Sequence, residues 1–100
     1  MLNSKQIADV ASASALTYLG EAHFVRAEAN TTTDSEGNEA IRLTVVLKPD
    51  AVPYLNGDFA LDILVDVQDA LSKKNEHRLV IVEYATEQEL AEDAEENIGA

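Results

Sequence analysis

Residues 40–84 constrain the fold most, because they have the pattern of a strand, a long helix and a second strand. Residues 40–48 alternate apolar and polar side chains, as a strand with one buried face does. Residues 58–74 repeat apolar side chains at helical spacing, and residues 78–84 contain an unbroken apolar run. Such a run indicates a strand that is buried on both faces or lies centrally in its sheet. A right-handed crossover through the helix makes the two strands parallel.

A helix and a further strand precede this unit. We predict a helix over residues 4–19, with Asn3 as its N-cap, Gln6 as the capping-box partner and Gly20 at its C-terminal end. Residues 22–30 alternate loosely, and a polar loop joins them to the next strand, so the two strands form an antiparallel hairpin. The predicted fold class is therefore α+β, a two-layer sandwich in α-β-β-α-β order. Both helices cover one face of a small mixed three-stranded sheet.

The same spacings predict which side chains form the core. In the strand over residues 40–48, four side chains are predicted to point inward: Ile41, Leu43, Val45 and Leu47. The second helix has a core face of four residues, which three further apolar side chains widen: Leu61, Leu64, Val67 and Leu71, with Phe59, Ile63 and Ala70.

Acidic side chains are concentrated at the C-terminal end. The net charge is −12, and residues 86–100 hold six acids and no base: Glu87, Glu89, Glu92, Asp93, Glu95 and Glu96. We therefore predict a single α+β domain over residues 1–85 and an acidic tail over residues 86–100, which forms a short helix and then disordered chain. This charge repels phosphate backbones and anionic membranes, so we expect no direct binding to nucleic acid or membrane. A basic protein is the partner that it favours.

The composition also excludes several kinds of chemistry. Without cysteine there is no disulfide, thiolate ligand or cysteine nucleophile. No apolar run approaches the roughly 20 residues of a membrane span. Asp9 interrupts the one segment that resembles a signal peptide, so the sequence predicts a cytoplasmic protein. It has no glycine-rich phosphate loop and no serine in a nucleophile motif, so we assign no catalytic residue, metal or cofactor.

Two surfaces are candidates for protein binding. The first is a stripe of four aspartates on the outer side of the second helix, at spacings of four, four and three residues: Asp58, Asp62, Asp66 and Asp69. The second is the sheet face that neither helix covers, which is predicted to expose Phe24, Arg26, Val46 and Tyr84. A small sheet with an apolar open face usually acquires a cover. We therefore expect a homodimer through this face, or another protein bound there.

The sequence thus predicts a small interaction or accessory module, with two alternatives open. One is an acidic decoy or inhibitor that occupies the basic surface of a nucleic-acid-binding protein. The other is a small enzyme in which His23 or His77 acts with a carboxylate such as Asp62 or Asp66.

Overall fold

The computed structural model describes residues 2–54 and 57–91. The elements follow in this order: α1 at Ser4–Leu19, β1 at Phe24–Thr33, β2 at Glu39–Leu47, a short 3₁₀ helix at Pro49–Tyr54, α2 at Gly57–Lys73 and β3 at Leu79–Thr86. A last helix, α3, covers residues 87–91. This arrangement confirms the predicted α+β class. The part of the predicted acidic tail beyond Ala91 lies outside the described residues.

The sheet has the strand order β1-β2-β3, with β1 antiparallel and β3 parallel to β2. The prediction that the apolar run of β3 marks a central or doubly buried strand is wrong. The crossover places β3 on one side of β2 and the hairpin places β1 on the other, so β2 alone has two neighbours. In β3 the side chain of Val80 is buried, whereas Leu79 is half exposed.

The core lies between the sheet and the two long helices. The predicted inward side chains of β2 are all buried there: Ile41, Leu43, Val45 and Leu47. α1 contributes a narrow row to the same cluster, with two alanines between two larger side chains: Ile7, Ala11, Ala15 and Leu19. α2 contributes Ile63, Val67 and Leu71. The small side chains of α1 allow its backbone to lie close to the sheet.

Both ends of α1 have the predicted caps. The Gln6 backbone N–H donates to Asn3 Oδ1 at 2.8 Å, and the Asn3 N–H donates to Gln6 Oε1 at 3.0 Å. At the other end, Gly20 has a φ of 76°, a range that favours glycine, and its N–H donates to the Leu16 carbonyl at 2.9 Å. These contacts satisfy backbone groups that the helix itself leaves unpaired.

The hairpin strands extend further than predicted. Thr31, Thr32 and Thr33 pair with β2, so residues 34–38 alone form the connection. Asp34 Oδ1 accepts the backbone N–H groups of Glu36 and Asn38, each at 2.9 Å. The polar loop, which the predicted strand ends placed over residues 31–39, is therefore a shorter turn organised around one carboxylate.

A β-bulge changes the face on which Phe24 lies. Phe24 pairs with Leu47 and Arg26 pairs with Val46, so β1 advances two residues where β2 advances one. Phe24 consequently turns toward the helices and is buried in the core cluster. The prediction that Phe24 shares the open face with Arg26 is wrong. It assumed that side chains alternate regularly between the two faces, and the extra residue of the bulge interrupts that alternation.

Candidate protein-binding surfaces

The helix layer exposes two large apolar side chains of α2. Leu61 is 56% exposed and Val65 is 55% exposed. The prediction that Leu61 belongs to the core face is wrong, since Ile63 and Val67 take that place. α2 is apolar around much of its circumference, so the spacing alone is compatible with more than one buried face.

These two side chains lie in a shallow groove. Leu61 and Val65, one helical turn apart, line it together with Tyr18 of α1 and three aspartates: Asp62, Asp66 and Asp69. Its volume is about 330 Å³. We call these six residues the acidic groove. The fourth predicted aspartate, Asp58, is exposed in the first turn of α2 and is not among them.

An aromatic contact joins the two helices beside the groove. The rings of Tyr18 and Phe59 meet edge to face, with centroids 6.1 Å apart and planes at 83°. This is a favoured arrangement for aromatic pairs. It holds the Tyr18 wall of the groove in a fixed position relative to α2.

The groove is negatively charged. Asp69 forms an ion pair with Lys73 one turn later, at 3.0 Å, and this hydrogen bond raises the pKa of Lys73. Within the described part of the chain, Asp62 and Asp66 have no ion-pair partner. Both aspartates are exposed, so their charges can act on a partner at the groove.

A second depression continues between α1 and α2. It is lined by Val10, Ala13, Ser14, Thr17, Asp66, Ala70 and Lys74. The hydroxyl oxygen of Ser14 is buried, and it has no hydrogen-bond partner among the residues that the structure describes. Most buried hydroxyl groups in proteins are hydrogen-bonded, so Ser14 carries an energetic cost here.

The open sheet face is more polar than predicted. Two ion pairs cross it, Arg26 with Glu28 at 3.2 Å and Arg42 with Glu83 at 3.5 Å. Leu79, at the start of β3, is its most exposed apolar side chain within the described ranges. This face therefore combines paired charges with a small apolar area.

Besides Phe24, two more of the four residues predicted to be exposed on this face are not. Val46 faces away from the helices but is fully buried. It lies in the central strand with neighbours on both sides, Arg26 and Ala85. Tyr84 faces the helices, because it pairs with Val45, and its hydroxyl donates to the Ala60 carbonyl at 3.2 Å. Partial burial raises the pKa of Tyr84.

The histidines do not meet the carboxylates named in the enzyme hypothesis. His23 lies near Asp50, with 3.8 Å between Nδ1 and Oδ1, and His77 is exposed. The distance from His23 exceeds that of a hydrogen bond. Across residues 2–54 and 57–91, no group of three or more histidines and acids is placed to hold a metal ion.

No family model, no curated protein and no solved structure matches this chain. No helix in the described ranges is long and apolar enough to cross a membrane. The sequence predicted three of the six groove residues, the aspartates. It did not reveal the exposed Leu61 and Val65 or the partly buried Tyr18. The available signal was the number of apolar residues in α2, which exceeds what one buried face can hold.

Proposed function

We propose that this chain is a small cytoplasmic interaction module whose acidic groove binds a basic, amphipathic segment of another protein. The observation that supports it is the exposure of Leu61 and Val65 beside Asp62 and Asp66. Two apolar side chains one turn apart suit the apolar face of a helix that packs along the groove. The carboxylates suit lysine or arginine side chains at the edges of that helix.

The two kinds of groove residue have different effects on binding. Covering Leu61 and Val65 removes apolar surface from water, which contributes about 25 cal/mol for each Å² buried. The exposed aspartates speed association and select for basic partners, and added salt weakens their effect. Binding in the groove should therefore depend on both the apolar pair and the acidic pair.

The test is calorimetric titration with a designed helical peptide that has leucines on one face and lysines on both flanks. The two informative variants are Leu61→Ser with Val65→Ser, and Asp62→Asn with Asp66→Asn. Each should weaken the peptide about tenfold or more, a loss of about 1.4 kcal/mol. Leu79→Ser is the matched control, since Leu79 is 50% exposed on the sheet. Unchanged affinity in both double variants would reject the groove.

An acidic decoy of a basic nucleic-acid-binding surface is the alternative. It is supported by the exposed Asp62 and Asp66, which form no ion pair with another described residue. A decoy would bind mainly through charge. Its binding would fall steeply with salt and would be unaffected by the Leu61→Ser and Val65→Ser substitutions. The same titration, repeated at low and high salt, separates the two proposals.

We also propose that the chain associates with a second copy through its sheet. The open face supports this proposal through its half-exposed Leu79 and the partly exposed Ile81 beside it in β3. Sedimentation over a range of concentrations tests it. A single monomeric species at every concentration would reject self-association.

A further inference from the structure

The outer edge of β1 has no strand partner in the described part of the chain. β1 is ten residues long and lies at the end of the strand order β1-β2-β3. An edge of this kind presents backbone N–H and carbonyl groups that can pair with another strand. β1 contains no proline to prevent such pairing.

The two charged side chains of β1 have opposite signs and share one face. Arg26 and Glu28 are opposite Val46 and Thr44, respectively, in β2. Their side chains are 50% and 47% exposed, and they contact each other at 3.2 Å. Arg26 and Glu28 flank Ala27 on either side. If the β1 strand of a second copy pairs antiparallel with this one so that the two Ala27 residues are opposite, each charged side chain faces one of opposite charge.

We propose that two copies of this chain associate by antiparallel pairing of their β1 edges, with the two-fold axis at Ala27. Arg26 of one copy then lies opposite Glu28 of the other, and the reverse pair forms across the axis. This inference rests on the proposed self-association, and it places the contact at the β1 edge instead of on the open sheet face. The product is one six-stranded sheet.

The charges select this register over its neighbours. A two-fold axis at Arg26 would place two arginines opposite each other, and an axis at Glu28 would oppose two glutamates. Like charges directly opposite in paired strands are destabilising, whereas opposite charges stabilise the pair. In this register the Ala27 side chains of the two copies lie opposite each other on the face that the helices cover. Both side chains are small, so they do not clash.

The other free edge lacks this complementarity. Glu83 is the sole charged residue of β3, and no base in that strand could face it in a second copy. The charge pattern therefore favours the β1 edge.

The proposed dimer leaves both acidic grooves accessible. A two-fold axis normal to the sheet keeps the helix layers of both copies on the same side of the six-stranded sheet. The acidic grooves therefore stay on the outer surface of these helix layers.

Sedimentation equilibrium with charge-reversed variants tests the proposal. Arg26→Glu and Glu28→Arg, each alone, should raise the dimer dissociation constant tenfold or more, because each places like charges opposite each other. The double variant that carries both substitutions should restore the dimer. Arg42→Glu is the matched control, since Arg42 is half exposed on the same face but lies in the central strand, and it should leave the dimer unchanged.

A distance measurement tests the register. The chain has no cysteine, so Asn30→Cys introduces a single site for a spin label on an exposed residue. An axis at Ala27 separates the two copies of residue 30 by six residues of strand, about 20 Å between Cα atoms. A much longer distance would overturn the register.

The outcomes separate the two proposals. A wild-type chain that stays monomeric at all concentrations would overturn both self-association and the edge pairing. A dimer that is indifferent to charge reversal at Arg26 and Glu28 would leave self-association intact and overturn the edge pairing. A dimer lost in both single variants and regained in the double variant would support the edge.

Discussion

Glu76 and Arg78 form a two-pronged ion pair in the loop between α2 and β3. Arg78 Nε donates to Glu76 Oε2 at 2.9 Å, and Nη2 donates to Oε1 at 2.7 Å. The side chain of Glu76 is 3% exposed, and that of Arg78 is 13% exposed. The Leu2 N–H also donates to Glu76 Oε1, and Arg78 Nη2 donates to the Leu2 carbonyl, each at 3.1 Å. The pair therefore joins the chain before α1 to the loop before β3.

Removing the arginine should destabilise the fold strongly. Arg78→Met would leave the Glu76 carboxylate buried without its cation, which costs about 3–5 kcal/mol in comparable sites. Urea unfolding measures the loss. Arg42→Met is the matched control: it breaks a half-exposed pair with Glu83, for which we expect about 0–1 kcal/mol. Equal losses in the two variants would show that the buried pair has no special role.

The same pair should make stability depend on acid pH. The hydrogen bond from Arg78 lowers the pKa of Glu76 from its ordinary 4.5 to about 2. Because the folded pKa lies below the unfolded value, the stabilisation is complete above about pH 4.5. It is lost as the pH falls from 4.5 toward 2.

Glu76→Gln removes this titration and provides the comparison. The free energy of unfolding, measured between pH 6 and pH 2, should fall more steeply for the wild type than for the variant below pH 4.5. Parallel curves would contradict the assignment of the low pKa to Glu76.

Replacing Ser14 should stabilise the protein. Its buried hydroxyl makes no hydrogen bond to any described residue, and alanine removes that group while favouring the helix. We expect Ser14→Ala to add about 1 kcal/mol to the free energy of unfolding, measured by thermal and urea denaturation. Ser12→Ala, at a partly exposed position of α1, is the control and should gain less. A destabilised Ser14→Ala protein would show that the hydroxyl is satisfied in solution.

The turn between β1 and β2 should depend on Gly37. This residue has a φ of 87°, and a Cβ added there would meet no atom within 4 Å. The cost of Gly37→Ala is therefore backbone strain alone, about 1–2 kcal/mol. Gly37→Asn should cost less, because asparagine tolerates positive φ better. Thermal unfolding of both variants checks the order, and an equal effect of the two would contradict it.

Local signals in the sequence predicted most of the fold. The caps at Asn3 and Gly20 and the alternation in β2 depend on neighbouring residues, so they could be identified without tertiary information. The face of Phe24 and the edge position of β3 could not. The first depends on a one-residue bulge, and the second depends on which strand the crossover places in the middle of the sheet.

The acidic groove could likewise be predicted from the sequence only in part. The aspartates at positions 62, 66 and 69 form a visible stripe, and the structure places them around one groove. Leu61 was predicted to lie in the core and Val65 was assigned to no surface, because α2 has more apolar side chains than its contact with α1 and the sheet can bury. Tertiary packing alone decides which of them stay exposed.

The most direct test of the acidic groove is to map binding residue by residue. We would titrate isotope-labelled protein with the leucine and lysine peptide and follow backbone amide shifts by NMR, with a scrambled peptide of equal charge as the control. If the peptide binds in the acidic groove, we expect saturable shifts centred on Tyr18, Leu61 and Val65, and much weaker binding of the scrambled peptide. Equal shifts from both peptides, or shifts centred on Leu79 and the open sheet face, would contradict binding in the groove.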